Sequence, residues 1–307
     1  MSLNIWRIEL FTKFDCVVAL VNTINKMDCV EGIKQLRSES IDIVIADPPY
    51  NRRGVDYGEG FEVMPFKDYF AWCEIWISEC KRVLKPKGTM FIYGYDEILA
   101  RISSTLPIEG QRWLIWHYRN LIVPNAQFWQ RTHQSIICHW KGRKPSFNLD
   151  AVREPYTEEY AKQDGRILPP RRNRFSKGGM REATVKIHPN GALPRDVFNI
   201  PLAKADRIMF CNTCSHLVTP KHRKEHEYHD LLIHPTQKPF ALTEKLILSC
   251  KPEGEFNVLV PFCGSGSECL IALKHGGRFF TFELNPDYVK LASLNLSYYL
   301  NTRSYFI

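Results

Sequence analysis

The chain has 307 residues, 44% of them hydrophobic, and 41 Lys and Arg against 33 Asp and Glu give a formal charge of +8. That length supports one large α/β domain with an insertion, or two modest domains, and the apolar content excludes global disorder. No apolar run reaches membrane-spanning length, and Arg7, Glu9, Lys13 and Asp15 interrupt the first apolar residues, so no membrane span or secretory leader is expected and a cytoplasmic location is.

The basic excess suits a polyanionic partner, although ordinary solubility charge has the same signature. Ten cysteines scattered without secretory features read as reduced core thiols. The first strong signal along the chain is residues 41–50, Ile-Asp-Ile-Val-Ile-Ala-Asp-Pro-Pro-Tyr. Near-continuous β-branched residues predict a strand covered on both faces that runs into a rigid turn. Tyr69, Trp72, Cys73, Trp76, Cys80 and Val83 then follow helical spacing, which assigns both tryptophans to the core rather than to a base-stacking surface. Lys85-Pro86-Lys87-Gly88 stops that helix, and strands are predicted at Met90–Tyr93, Trp113–Tyr118 and Ser135–Trp140.

Residues 141–200 differ in texture. They carry 13 Lys and Arg against 7 Asp and Glu, many Pro and Gly, and poor periodicity, and so read as an inserted, loop-rich module. Its most basic stretch holds Arg171, Arg172, Arg174 and Lys177. Order returns with a helix at Ala241–Cys250, a strand at Phe256–Val260, a helix from Ser267 and a strand at Arg278–Glu283. Asn285 and Pro286 supply the N-cap and first turn of a closing helix that runs to about Leu300. The alternation at both ends predicts an α/β fold with one mostly parallel sheet, helices on both faces, split by the basic insertion.

Two segments carry chemistry. Phe262-Cys263-Gly264-Ser265-Gly266-Ser267 comes after a buried strand and opens a helix, where glycine lets the backbone approach a ligand closely. Glu283 ends the next strand, 19 residues after Gly264, a position from which a carboxylate can accept both ribose hydroxyl hydrogens of a nucleotide-like cofactor. The third glycine of a dinucleotide fingerprint is absent, which favours an adenosyl group without phosphates; an ordinary tight βα turn is the alternative. Asp47-Pro48-Pro49-Tyr50 stands at the carboxyl end of the other strand, where open α/β sheets bind ligands. A carboxylate at Asp47, with a backbone carbonyl near Pro48, can accept the hydrogens of an exocyclic base amine whose lone pair is delocalised, concentrating density on the attacking nitrogen. The two prolines fix the acceptors, and Tyr50 offers a flat face to a base flipped from the duplex.

Asp-Pro-Pro-Tyr resembles the catalytic motif of the DNA N6-adenine and N4-cytosine methyltransferases, and Phe-Cys-Gly-Ser-Gly resembles their S-adenosylmethionine motif. The order of catalytic motif, recognition region and cofactor motif is similar to that of the permuted β class. His234-Pro235-Thr236-Gln237-Lys238-Pro239 resembles the segment ahead of the cofactor motif, and Gly191 to Ile200 the end of the recognition region. The resemblance implies a Rossmann-like class I methyltransferase fold, with residues 1–140 as catalytic half, 141–200 as target-recognition insertion and 201–307 as cofactor half. It implies that Asp28, beside Cys29, meets the cofactor adenine, that Glu283 binds the ribose, and that Thr236 and Lys238 lie near the methionine end; a capping hydroxyl and a solvated lysine are the plainer readings of the last two. It implies double-stranded DNA as substrate, contacted by the basic stretch, and a cognate restriction endonuclease as partner. Two positions depart from the pattern: Val260 stands where an acid precedes Pro-Phe, so one contact to the methionine ammonium is replaced or lost, and Thr281 stands where glycine is common. Asp rather than Ser at position 47 favours adenine. Methylation of cytosine N4, an RNA or protein methyltransferase, and a catalytically silent DNA-binding module are the alternatives.

A separate cluster lies beyond the insertion. Cys211 and Cys214 precede His216, His222, His226 and His229, and a Cys-x-x-Cys with histidines three or four apart can supply tetrahedral zinc ligands. Cys211, Cys214, His222 and His226 are the expected set, holding a structural zinc that staples a long loop; the alternative is two reduced cysteines beside a histidine-rich loop.

Overall fold

The computed structural model describes residues 20–52, 61–121, 127–171, 181–203, 207, 209–218 and 220–302. They form two compact units, one within Met1–Phe147 and Asp196–Ile307, the other within Asn148–Arg195. The sheet of the larger unit contains, from one edge to the other, β1 (Ile24–Lys26), β13 (Arg278–Glu283), β12 (Asn257–Val260), β2 (Ile41–Ala46), β3 (Leu84–Gly94), β5 (His133–Trp140), β4 (Gln111–His117) and β8 (Val197–Asn199). Only β5 runs antiparallel to its neighbours; the other five pairings are parallel.

Side-chain alternation along the strands builds two cores. From β2, Val44 and Ala46 point to the face covered by α1 (Cys29–Lys34), α2 (Phe66–Val83) and α3 (Asp96–Ser103). Ile43 and Ile45 point to the opposite face, covered by α5 (Phe240–Cys250), α6 (Ser267–Lys274) and α7 (Pro286–Thr302). All four are fully buried, which is why the segment is apolar at consecutive positions. Asn285 Oδ1 accepts from the Asp287 and Tyr288 amides, capping α7 as expected.

Between β2 and β3 the register jumps: Ile41 faces Leu84, but Ile43 faces Thr89. Lys85-Pro86-Lys87-Gly88 therefore bulges within β3 rather than separating helix from strand. Proline has no N–H to give the ladder, and Lys85 Nζ reaches Asp42 at 2.7 Å.

In the smaller unit, β6 (Ile167–Arg171) pairs antiparallel with β7 (Arg181–Thr184), and α4 (Glu158–Ala161) is capped by Thr157. Residues 196–200 belong to the larger unit because β8 pairs with β4. Of the four basic residues expected at DNA, Arg171 ends β6, and Arg172, Arg174 and Lys177 lie outside the described residues.

A three-stranded antiparallel sheet precedes α5, with β9 (Met209–Cys211) between β10 (His216–Val218) and β11 (Leu231–Ile233). It gathers Cys211, Cys214, His226 and His229. His222, expected in this set, instead lies exposed and pairs with Glu225 at 2.9 Å. The cause is local geometry: Pro220–His226 is a 3-10 helix, where four residues turn a side chain about 120° away instead of bringing it back to one face. His229, after the turn closed by its amide on the His226 carbonyl, takes that place. The nine described cysteines are free thiols. No described helix is long and apolar enough to cross a membrane.

Candidate active site

Four parallel strands end side by side, and the segments at their carboxyl ends line one cleft of about 530 Å³. In sheet order these segments are Asp28 and Cys29 after β1, Glu283 at the end of β13, the glycine turn after β12, and Asp47 to Tyr50 after β2. The chain leaves β12 toward β13 but leaves β2 toward β3, so the cleft occupies the topological switch point.

The glycine turn is fixed from several directions. Gly264 has φ +53° and Gly266 φ +80°, and a Cβ on Gly264 would come within 2.8 Å of His234 Nε2. Glu283 ties the turn to the start of α7, accepting from the Gly264 amide at 2.8 Å on one oxygen and from the Asn285 amide at 3.0 Å on the other. Burial raises the Glu283 carboxyl above its ordinary range. Asn295 holds the Ser265 carbonyl at 3.0 Å. Thr281, in place of the usual glycine, donates to the Val260 carbonyl at 2.7 Å and so buries its hydroxyl satisfied. Asp28 caps α1, accepting from the Val30 and Glu31 amides at 2.9 and 3.2 Å. Cys29, Thr236, Phe262, Ser265 and Ser267 stand at the cleft wall; Gly266 turns the chain into α6 against Ala292.

At the β2 end, Asp47 receives hydrogen bonds on both oxygens, from the Tyr50 hydroxyl and from Lys238 Nζ. Lys238 is only 2% exposed and also donates to the Thr236 carbonyl at 3.2 Å, so it is a buried ion-pair partner rather than a solvated lysine. The Tyr50 hydroxyl in turn accepts from Gln134 Nε2, and the ring meets Tyr95 edge-on at 5.1 Å. Burial, then the Asp47 charge, push the Tyr50 phenol well up, which keeps it a donor. Tyr69 donates to the Pro49 carbonyl at 2.9 Å and clamps the proline turn from α2. Trp76 is in the core as expected, but Trp72 reaches the cleft wall against Phe262.

Glu268, in the first turn of α6, also lines the cleft. It is 6% exposed, receives the Ser267 hydroxyl at 2.7 Å, and its carboxyl is pushed up by burial. The glycine pattern does not single it out. The sequence signal for it is Val260, which stands where the resembled family pattern places an acid. His234 is legible in the sequence only as part of a motif. Its ring sits between Gly264 and Tyr288, 4.6 Å from the latter's centroid, and burial lowers it to about 4, so it is neutral at physiological pH.

Residues 41–294 match the family described as DNA methylase, the N6/N4 methyltransferases. This chain belongs to that family. Its Type II relative M.HpaI of Haemophilus parainfluenzae is 31% identical over 275 residues, covering 88% of this chain and 72% of the relative. The DNA adenine methyltransferase YhdJ of Escherichia coli (strain K12) is 28% identical over 276 residues, covering 88% and 80%. Among solved structures, the PvuII DNA methyltransferase (cytosine-N4-specific) superposes with TM-score 0.59 at 15% identity over 88% of this chain and 84% of its own. The M1.HpyAVI-SAM complex gives 0.51 at 20% identity over 88% and 96%. The sheet of this DNA methylase is thus the Rossmann-like class I methyltransferase fold. Its permuted order brings the strand before the glycine turn, from the carboxyl-terminal half of the chain, beside the Asp-Pro-Pro-Tyr strand from the amino-terminal half.

Proposed function

We propose that this methylase transfers the methyl group of S-adenosylmethionine to the N6 amino group of adenine in double-stranded DNA, at a specific sequence and after base flipping. One observation carries the reading: along a single sheet edge the cleft presents Asp28, Glu283, the glycine turn and then Asp47. Asp28 and Glu283 would hold an adenosyl group and the glycine turn would pass its amino-acid end, with Asp47 in the same cleft to meet the methyl acceptor. The cleft is within the range of about 300–1,000 Å³ common for small-molecule sites. Gly264 and Gly266 leave the backbone bare where the ligand passes, and Glu268 supplies the buried negative charge that Val260 does not.

When bound, S-adenosylmethionine supplies an electrophilic methyl group. The residues act on the other reactant. Asp47 accepts the amino hydrogens of the flipped base, raising density on nitrogen as the N–C bond forms and the S–C bond breaks; the surplus proton leaves through the same carboxylate. Lys238 holds that carboxylate in place, and Tyr50, Pro48 and Pro49 shape the wall against which the base is held. Arg171, Arg172, Arg174 and Lys177 contact phosphates. The Type II name of M.HpaI and the adenine name of YhdJ support a restriction-modification setting, with a partner endonuclease, and adenine as target.

Incubating the full chain with labelled S-adenosylmethionine and duplex DNA, then identifying the modified nucleoside, tests the reading. N6-methyladenine is expected. N4-methylcytosine would overturn the base assignment, and labelling of RNA or protein but not DNA would overturn the substrate class. Sequencing a methylated genome then gives the motif.

A further inference from the structure

We propose that Cys211, Cys214, His226 and His229 form a zinc site, separate from the cleft. Each residue offers one ligand atom, and all four atoms lie within 4.8 Å of one another. His229 Nδ1 is 3.1 Å from His226 Nδ1, 3.2 Å from Cys214 Sγ and 3.5 Å from Cys211 Sγ, and Cys214 Sγ is 3.9 Å from His226 Nδ1. Tetrahedral zinc with its usual bond lengths has edges of about 3.4 Å between nitrogens and about 3.6 Å between nitrogen and sulfur. The three nitrogen–sulfur separations bracket the second value, and the nitrogen–nitrogen separation is about 0.3 Å short of the first.

The backbone is shaped for the same purpose. Cys211 ends β9, the Cys214 amide points back at Cys211 Sγ at 3.3 Å, and the Ser215 amide closes the turn on the Cys211 carbonyl at 2.8 Å. Ser215 takes φ +58°, which turns the chain into β10. Two ring nitrogens and two sulfurs converge on one point, an arrangement that a divalent ion satisfies in full and a hydrogen-bond network of these groups does not. Two sulfurs and two nitrogens in tetrahedral array select zinc over the harder cations.

The small sheet has a minor core on the side of the metal ligands. Its own core is Met209, Cys211 and Val218, with Leu231 and Ile233 only partly buried. On its other face Phe210, Leu217 and Leu232 pack with Leu270 and Leu291, so a metal would staple the end of the sheet that those contacts do not reach. The site has a bearing on the cleft as well: Cys211 pairs with Leu231 at the metal end of β11, and the strand then runs through Ile233 into His234 and on to Lys238.

The test uses the full chain as purified, after gel filtration from buffer with excess zinc, with metal measured by plasma mass spectrometry. About one zinc per chain is expected, and replacement by cobalt should give the visible bands of a tetrahedral sulfur-ligated ion. H222A should keep the metal, whereas C214S and H229A should lose it. Because those two variants could also misfold, the cobalt spectrum of the unaltered chain decides independently. No zinc on the unaltered chain, a Cys211–Cys214 disulfide in its place, or metal kept by H229A and lost by H222A would overturn the site. None of these outcomes depends on whether methyl transfer is observed.

Discussion

Lys238 meets Asp47 in a nearly water-free position, so removing either partner leaves a charge without compensation. K238M is therefore expected to retain cofactor binding and to lose methyl transfer by about a hundredfold or more, by analogy with the loss of one pre-positioned electrostatic group. Single-turnover transfer, with cofactor affinity by calorimetry, reads both quantities, and equal loss of both would show that Lys238 serves the cofactor instead. Glu268 makes the reverse prediction. Its raised carboxyl binds a proton more tightly folded than unfolded, so its contribution to stability is full below the unfolded value near 4.5 and is lost as pH rises through the folded one. At pH 8 the buried position of this carboxyl is unfavourable to its charged form and destabilises the protein without cofactor, and E268Q should melt higher than the unaltered chain. Below pH 4.5 the difference should close. If Glu268 faces the methionine ammonium, the same variant binds S-adenosylmethionine more weakly; a variant melting lower at pH 8, or binding as tightly, contradicts that assignment.

The elements surrounding these residues are legible wherever one physical rule dominates. Residues 41–46 are buried on both faces and therefore apolar without interruption, and residues 278–283 are flanked by a glycine pair and a capping asparagine. The rule fails where distant partners decide. Pro86 and Gly88 look like a stop because sequence does not show that Asp42 will hold Lys85 and let β3 bulge. His222 looks like a ligand because its spacing suits an α-helix, whereas the chain makes a 3-10 turn. Trp72 fits the helical stripe, and only the packing of Phe262 reveals that it borders the cleft. The glycine turn gives a direct check at this scale. G264A adds a Cβ at φ +53° facing His234, and should destabilise by about 1–2 kcal/mol from backbone strain alone. It should also weaken the cofactor; an unchanged melting temperature and affinity would mean that the turn relaxes freely.

At the scale of the molecule, the permuted order is visible because both motifs are short, local and placed directly after buried strands. The family resemblance brings Thr236 and Lys238 to the cofactor, but sequence does not show that Lys238 pairs with Asp47, since that long-range contact comes from packing. The excess charge of +8 remains the property of the whole chain, and it divides the work. The described residues proposed to hold the cofactor lie in the larger unit, whereas the densest basic stretch, Arg171 to Lys177, falls within the range of the smaller one. Affinity for DNA should then be separable from affinity for cofactor. Replacing Arg171, Arg172, Arg174 and Lys177 together by Gln removes four positive charges, and each phosphate contact contributes about 0.9 to the slope of log affinity against log salt. The variant should bind duplex DNA with a slope shallower by up to about 3–4 and correspondingly weaker affinity at low salt, while cofactor affinity stays unchanged. Fluorescence anisotropy over a salt series measures the slope, and an unchanged slope would move the phosphate contacts to the larger unit. If discrimination among sequences falls along with affinity, some of these four side chains read base edges; if it persists, they only position the duplex.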